Sequence, residues 1–324
     1  MALAADLQVD YVPLAADASA RWDNVLGVAT FNWAAELAGD VPVVDVRTPV
    51  LGGASDRVCE VWRTREPVES GHYARIRYRR SENILFGCIS LPETHGLHTA
   101  TEEAYREIFS TLNELGYPHL ARIWNYLPQI NVETQGLERY RQFNSARRNA
   151  LVAYKRDLTG NVPAACALGA TAGSPLVIYF LASRQAATPI ENPRQVSAYE
   201  YPPQYGPKPA FSRASILEQL LFISGTASIV GHETVHVGDV AAQTRESLAN
   251  IEALLGEANR VSGTNRFGLE NLAYKVYVRN SEDLALIQSN LQTALGTRTQ
   301  IIYLQADICR QDLLVEIEAI GRAC

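Results

Sequence analysis

Residues 312–320 read DLLVEIEAI. The stretch alternates as a strand does: Val315, Ile317 and Ala319 point one way, and Leu314, Glu316, Glu318 and Ile320 the other. Apolar side chains on both faces predict burial on both, yet two acids share one of them. A solvated face is the plain explanation; a cleft that accepts a single acid is the alternative. The choice depends on what packs against this strand. LLFISGTASIV (220–230) reads as a strand. DVAAQTRESLANIEALL (239–255) reads as a helix with Asp239 as N-cap and Val240, Thr244, Leu248, Ile251 and Leu255 on one stripe. The strand LAYKVYVRN (272–280) follows, then the helix SEDLALIQSNLQTALG (281–296) closed by Gly296, then the strand TQIIYLQADIC ahead of LVEIEAI.

The first half repeats that order. ILFGCISL (84–91) is a strand, and TATEEAYREIFSTLNELG (99–116) is a helix with a Thr99/Glu102 capping box. HLARIWNYLPQI (119–130) is a strand and GLERYRQFNSARRNAL (136–151) a helix. PAACALGA and LVIYFLAS then read as a hairpin about Ala172-Gly173-Ser174-Pro175. The expected fold is therefore α+β: two β-α-β-α-β-β units with mixed sheets and helices packed on one face. The divisions expected are 1–182, with extra strands such as HYARIRYRR (72–80), a Pro/Tyr-rich connection over 183–218, and 219–324. In the repeat, LVIYFLA (176–182) takes the place of LVEIEAI, with Ile178 and Phe180 standing for Glu316 and Glu318. That asymmetry favours a single cleft that accepts one acid.

The 324 residues carry a net charge of −6, which argues against a nucleic-acid partner and requires any anionic substrate to be met by local arginines. Five scattered cysteines without a CxxC pair suit reduced thiols. The first residues carry acids where a leader needs a basic start. The longest apolar run is too short to span a bilayer, so a cytoplasmic location with no membrane contact is expected.

HETVH (232–236) matches HExxH formally, but Gly231 and Gly238-Asp239 bracket it, so a loop is expected rather than a zinc helix. Two clusters of arginine and tyrosine are more informative. YEYPPQYGPKPAFSR (199–213) stiffens Tyr199, Tyr201 and Tyr205 with prolines and ends on Arg213, a planar fork suited to carboxylates. FNSARRNALVAYKRDL (143–158) places Arg147 and Tyr154 seven residues apart, on one face of a continued helix. Together with the acid-bearing strand, the pattern suits a small dicarboxylate that needs a proton donor.

FISGTASIVG, GDVAAQTRESLANIEALL, LAYKVYVRN and LVEIEAI resemble the Rid (YjgF-type) superfamily over roughly the last 110 residues. RIWNYLPQIN, the FNSARRNA helix and YPPQYGPKPAFSRAS resemble the chorismatases over nearly the whole chain, and among them the hydroxybenzoate-forming branch of xanthomonadin-type pigment pathways. The resemblance implies cleavage of chorismate to pyruvate and 3-hydroxybenzoate, with 4-hydroxybenzoate as an open second product. It implies Glu316 as the acid; Arg147, Tyr154, Tyr201, Tyr205 and Arg213 as substrate contacts, with Arg148 able to exchange with Arg147; and Cys309 with Ala227 or Gly225 as product-setting positions. It implies no metal, nucleotide or redox cofactor, and a monomer or small homo-oligomer. The alternatives are a Rid-type imine deaminase using Arg298, and a chorismate-binding sensor without turnover.

Overall fold

The computed structural model describes residues 7–13, 24–33, 40–52 and 57–323. Most of the chain start read above and Cys324 lie outside these residues. Strands β1 (Gln8–Pro13), β2 (Val25–Phe31), β3 (Val43–Val46), β4 (Val50–Gly52) and β5 (Val58–Arg63) come first, then β6 (Glu69–Tyr73) and β7 (Ile76–Arg80). The first unit is β8 (Ile84–Leu91), α1 (Leu97–Leu115), β9 (His119–Pro128), the small pair β10 (Glu133–Thr134) and β11 (Leu137–Glu138), α2 (Arg139–Ala153), β12 (Ala164–Ala170) and β13 (Leu176–Ser183). After β14 (Thr188–Ile190) and β15 (Ala214–Leu217) comes the second unit. It comprises β16 (Leu220–Ala227), the small pair β17 (Ile229–Val230) and β18 (Glu233–Thr234), α3 (Val240–Ser262), β19 (Leu272–Val278), α4 (Leu284–Leu295), β20 (Ile301–Gln305) and β21 (Val315–Arg322).

The two large sheets share one topology: β12-β9-β13-β8 in the first and β20-β19-β21-β16 in the second. In each, the last strand inserts between the first two strands of its unit, and the penultimate strand lies parallel to the middle one. The hairpin expected over 164–183 is therefore absent, because β9 separates β12 from β13. Turn residues at 172–175 signal a reversal of the chain, not which strand it returns beside. Residues 72–80 are likewise not one strand but a hairpin reversing at Ala74, whose φ is 49°.

Helices α1 and α2 cover one face of the first sheet, and α3 and α4 one face of the second. Asp239 caps α3 as expected, accepting from the Ala242 N–H at 2.9 Å. The capping box of α1 is not formed. That helix begins at Leu97, with Gly96 as N-cap, because burying Leu97 draws it upstream, and Glu102 pairs with Arg106 instead. The connection over 183–218 adds β14 and β15 to the second sheet, and β4 closes its other edge.

The uncovered faces of the two sheets meet each other and the four-stranded sheet β1-β5-β2-β3 around Trp62, Trp124, Tyr179 and Phe222. The strand that opened the sequence reading is therefore buried on both sides. Val315, Ile317 and Ala319 pack on the helices, while Glu316 and Glu318 point into the space between sheets. The correspondence with 176–182 shifts by one residue. Ile178 and Phe180 face the helices of the first unit. Glu316 lies opposite Tyr277 and Glu318 opposite Lys275, as Val177 lies opposite Tyr126 and Tyr179 opposite Trp124. The asymmetry survives the correction: one copy is apolar or aromatic where the other has acids. Among the described residues no helix is long and apolar enough to cross a membrane.

Candidate active site

Glu316 forms the back of a cavity of about 310 Å³ beside the second sheet. A bulge prepares the place. The register of β16 against β21 slips between Ile223 and Thr226, setting Gly225 beneath the acid. A Cβ at Gly225 would stand 1.8 Å from Glu316 Oε1, so only glycine leaves room for the carboxyl. Ser224 fixes the bulge, accepting from the Ala165 N–H at 2.9 Å and donating to the Ser212 carbonyl at 2.6 Å. Ala227 stands directly across from Glu316 in the ladder and also lines the cavity.

The loop between β20 and β21 makes a second wall with Cys309 and Arg310. Arg279 holds its shape, donating to the carbonyls of Leu313 (2.8 Å), Arg310 (2.9 Å) and Ile308 (3.1 Å) and pairing with Asp307 at 2.6 Å. The Pro/Tyr stretch makes the third wall. The Tyr201 and Tyr205 rings lie 5.4 Å apart, tilted by 45°, and the Arg310 guanidinium lies 4.4 Å from the centre of the Tyr205 ring. Arg213 donates to Tyr201 Oη at 2.7 Å and to the Val196 carbonyl at 2.8 Å. Arg213 Nε and Arg310 Nη2 are buried without a hydrogen-bond partner. Both residues line the cavity, and such donors are costly to bury unless an acceptor arrives. A narrow annex behind Glu316, sharing Tyr140 and Phe211 with the cavity, adds Arg147.

Electrostatics separate the two acids. Burial, with the Glu318 charge second, pushes the Glu316 carboxyl up to about 8, and more distant arginines only partly offset this. Burial acts on Glu318 too, but Lys275 and Arg122 outweigh it and hold that carboxyl below its usual range. Burial raises the Cys309 thiol to about 12, Glu316 adding to the effect. The site thus presents one neutral carboxylic acid and at least two guanidinium groups with N–H groups to spare. It can bind a dianion and give it a proton.

Of the residues singled out from sequence, the structure brings together Glu316, Arg147, Tyr201, Tyr205, Arg213, Cys309, Ala227 and Gly225. Arg147 points inward while Arg148 is exposed. Tyr154 is not among them. α2 ends at Ala153, and Tyr154 packs against Phe109, 5.7 Å between ring centres, away from the cavity. The Arg147 guanidinium lies over the Phe143 ring, 5.1 Å from its centre, and the tyrosine of α2 that lines the annex with it is Tyr140. Arg298 is exposed ahead of β20, whereas the cavity lies beyond the other end of that strand. HETVH starts in the β17–β18 turn and runs through β18: His232, in the turn, meets the Tyr205 hydroxyl at 3.3 Å, and His236, beyond the strand, approaches Glu246 at 3.3 Å, so the two histidines do not share a helical face. Arg310 was missed, although it adjoins Cys309; a loop arginine carries no periodic signal.

Residues 60–182 match the family described as chorismatase FkbO/Hyg5-like, N-terminal, and residues 204–323 match endoribonuclease L-PSP. A chorismatase of Streptomyces rapamycinicus is 38% identical over 313 residues, covering 92% of each chain. A 3-hydroxybenzoate synthase of Streptomyces hygroscopicus is 36% identical over 318 residues, 92% of this chain and 91% of that one. A crystal structure of a chorismatase superposes with a TM-score of 0.90 at 35% identity, covering 98% of this chain and 99% of that one.

Proposed function

This chain belongs to the chorismatase family, and from that premise we propose that it is the enzyme converting chorismate to pyruvate and 3-hydroxybenzoate, with Glu316 as the proton donor. Arg213 and Arg310, with Tyr201 and Tyr205 beside them, receive one carboxylate of the dianion, and Arg147 in the annex receives the other. Glu316 gives its proton to the methylene carbon of the enolpyruvyl group, leaving an oxocarbenium-like carbon on the ether oxygen. The oxygen of the free hydroxyl on ring carbon 4 then attacks ring carbon 3 as the bond from carbon 3 to the ether oxygen breaks, so that pyruvate leaves with that oxygen as its keto oxygen and the hydroxyl proton returns to Glu316. The resulting 3,4-epoxide opens at carbon 4, and loss of the proton on carbon 3 to the remaining oxygen gives 3-hydroxybenzoate. The two products together contain the atoms of chorismate, so this route consumes neither water nor an oxidant. A diol product would instead need one water molecule. Cys309 and Ala227, flanking Glu316, are positioned to govern whether water enters.

The observation that carries this reading is the neutral, buried Glu316 facing arginine donors that lack acceptors. The test is incubation of the purified protein with chorismate, with pyruvate followed by a coupled dehydrogenase and the aromatic acids separated by chromatography, which also reads any 4-hydroxybenzoate. Pyruvate with 3-hydroxybenzoate as the main product is expected; no pyruvate above background overturns the reading.

A further inference from the structure

We propose that Glu60 and Glu318 are positioning residues for the proton on Glu316: by engaging the two buried cations Lys275 and Arg122, they leave that carboxyl without a counter-ion. The inference rests on Glu316 being the acid. Glu318 accepts from Arg122 Nη2 at 2.5 Å and Trp124 Nε1 at 2.9 Å and pairs with Lys275 Nζ at 2.8 Å. Lys275 also pairs with Glu60 and lies 3.1 Å from the Tyr179 hydroxyl. Glu60 accepts in addition from Trp62 Nε1 at 2.7 Å and from Tyr179 at 3.2 Å. Two acids and two cations thus balance in charge, with every member at most 1% exposed, and Arg122 engages the set through Nη2 while its Nε and Nη1 have no hydrogen-bond partner. Glu316 lies two residues from Glu318 on the same strand face, roughly 7 Å along the strand.

The other groups around Glu316 are accounted for differently. Arg279 is occupied by Asp307 and loop carbonyls. At the mouth, Arg141 pairs with Glu138 at 3.4 Å, and Asp312 accepts from Thr234 at 3.1 Å. The Cys166 and Cys309 thiols are held protonated by burial. Arg147, Arg213 and Arg310 line the cavity and its annex with Tyr140, Tyr201 and Tyr205, and among the described residues none makes a hydrogen bond or ion pair to Glu316. The charge balance behind Glu316 therefore depends on Glu60, which comes from β5 of the four-stranded sheet. Without it, the set carries a net positive charge beside the acid.

The test is the pH dependence of kcat/KM. With the Glu316 carboxyl raised to about 8, the basic limb of the wild type is expected near that pH. Glu60→Gln keeps the shape and should move that limb down by on the order of one pH unit. Lys275→Met should move it up, and the double variant Glu60→Gln/Lys275→Met, which restores neutrality, should return it to the wild-type position. A purely structural role would lower the melting temperature and leave the limb in place, and that result overturns the proposal, as do single variants shifting in the same direction. Should Glu60→Gln fail to fold, Lys275→Met and the neutral double carry the same sign test. Should the wild type release no pyruvate from chorismate, the functional reading fails. Infrared titration of the Glu316 carboxyl, taken as a difference against Glu316→Gln, then still reads whether the three variants shift its proton in the stated directions.

Discussion

Glu316 and Glu318 are the same side chain two positions apart, and their surroundings give them opposite protonation. Replacing Glu316 with Gln keeps the shape and removes the proton, so turnover should fall by about 10²–10⁴. Its effect on stability should follow pH. Between 4.5, the ordinary carboxyl value, and about 8 the folded wild type holds a proton that the unfolded chain has released. Wild-type stability therefore falls with rising pH through that window, by up to about 1.4 kcal/mol per unit relative to Glu316→Gln. Denaturant titrations of both proteins at pH 5 and pH 8 would check the sign. Cys309→Val reshapes the wall next to the acid and should shift the product towards a non-aromatic diol. Incorporation of ¹⁸O from labelled water would report it, and an unchanged product ratio would remove Cys309 from that role.

At the scale of elements, the β16 bulge and helix α2 set the geometry. Gly225→Ala must displace either the Glu316 carboxyl or the bulge, so its loss of turnover should approach that of Glu316→Gln. Circular dichroism close to that of the wild type would show that the fold survives. Helix α2 turns Tyr140 and Arg147 to the annex and Arg148 to solvent. Arg147→Met should therefore raise KM by about 10–100-fold, the worth of a charge-assisted hydrogen bond, while Arg148→Met and Tyr154→Phe should leave both constants unchanged. A Tyr154→Phe enzyme with raised KM would place that ring at the substrate after all.

For the whole molecule, three sheets converge on one buried ionic set, contributed by β5, β9, β19 and β21. Glu318→Gln leaves Arg122 and Lys275 short of one charge in a space closed to bulk solvent. It should therefore cost roughly 3–5 kcal/mol in stability, read as a lower denaturant midpoint. Periodicity in the sequence determined the two repeated units, the helices with their buried stripes, and an acid-bearing last strand, because each of these is written in spacings of a few residues. The aromatic and basic side chains of 199–213 were legible too, since prolines mark a stiff segment locally. The tertiary structure decided which strand lies beside which, which glutamate is ionised, and that Tyr140 and Arg310 rather than Tyr154 and Arg298 reach the cavity. Those outcomes depend on contacts between residues far apart in the chain: Glu60 with Lys275, Arg122 with Glu318 and Gly225 with Glu316. Burial and counter-charge, which set the protonation of an acid, exist only once the sheets have closed on one another.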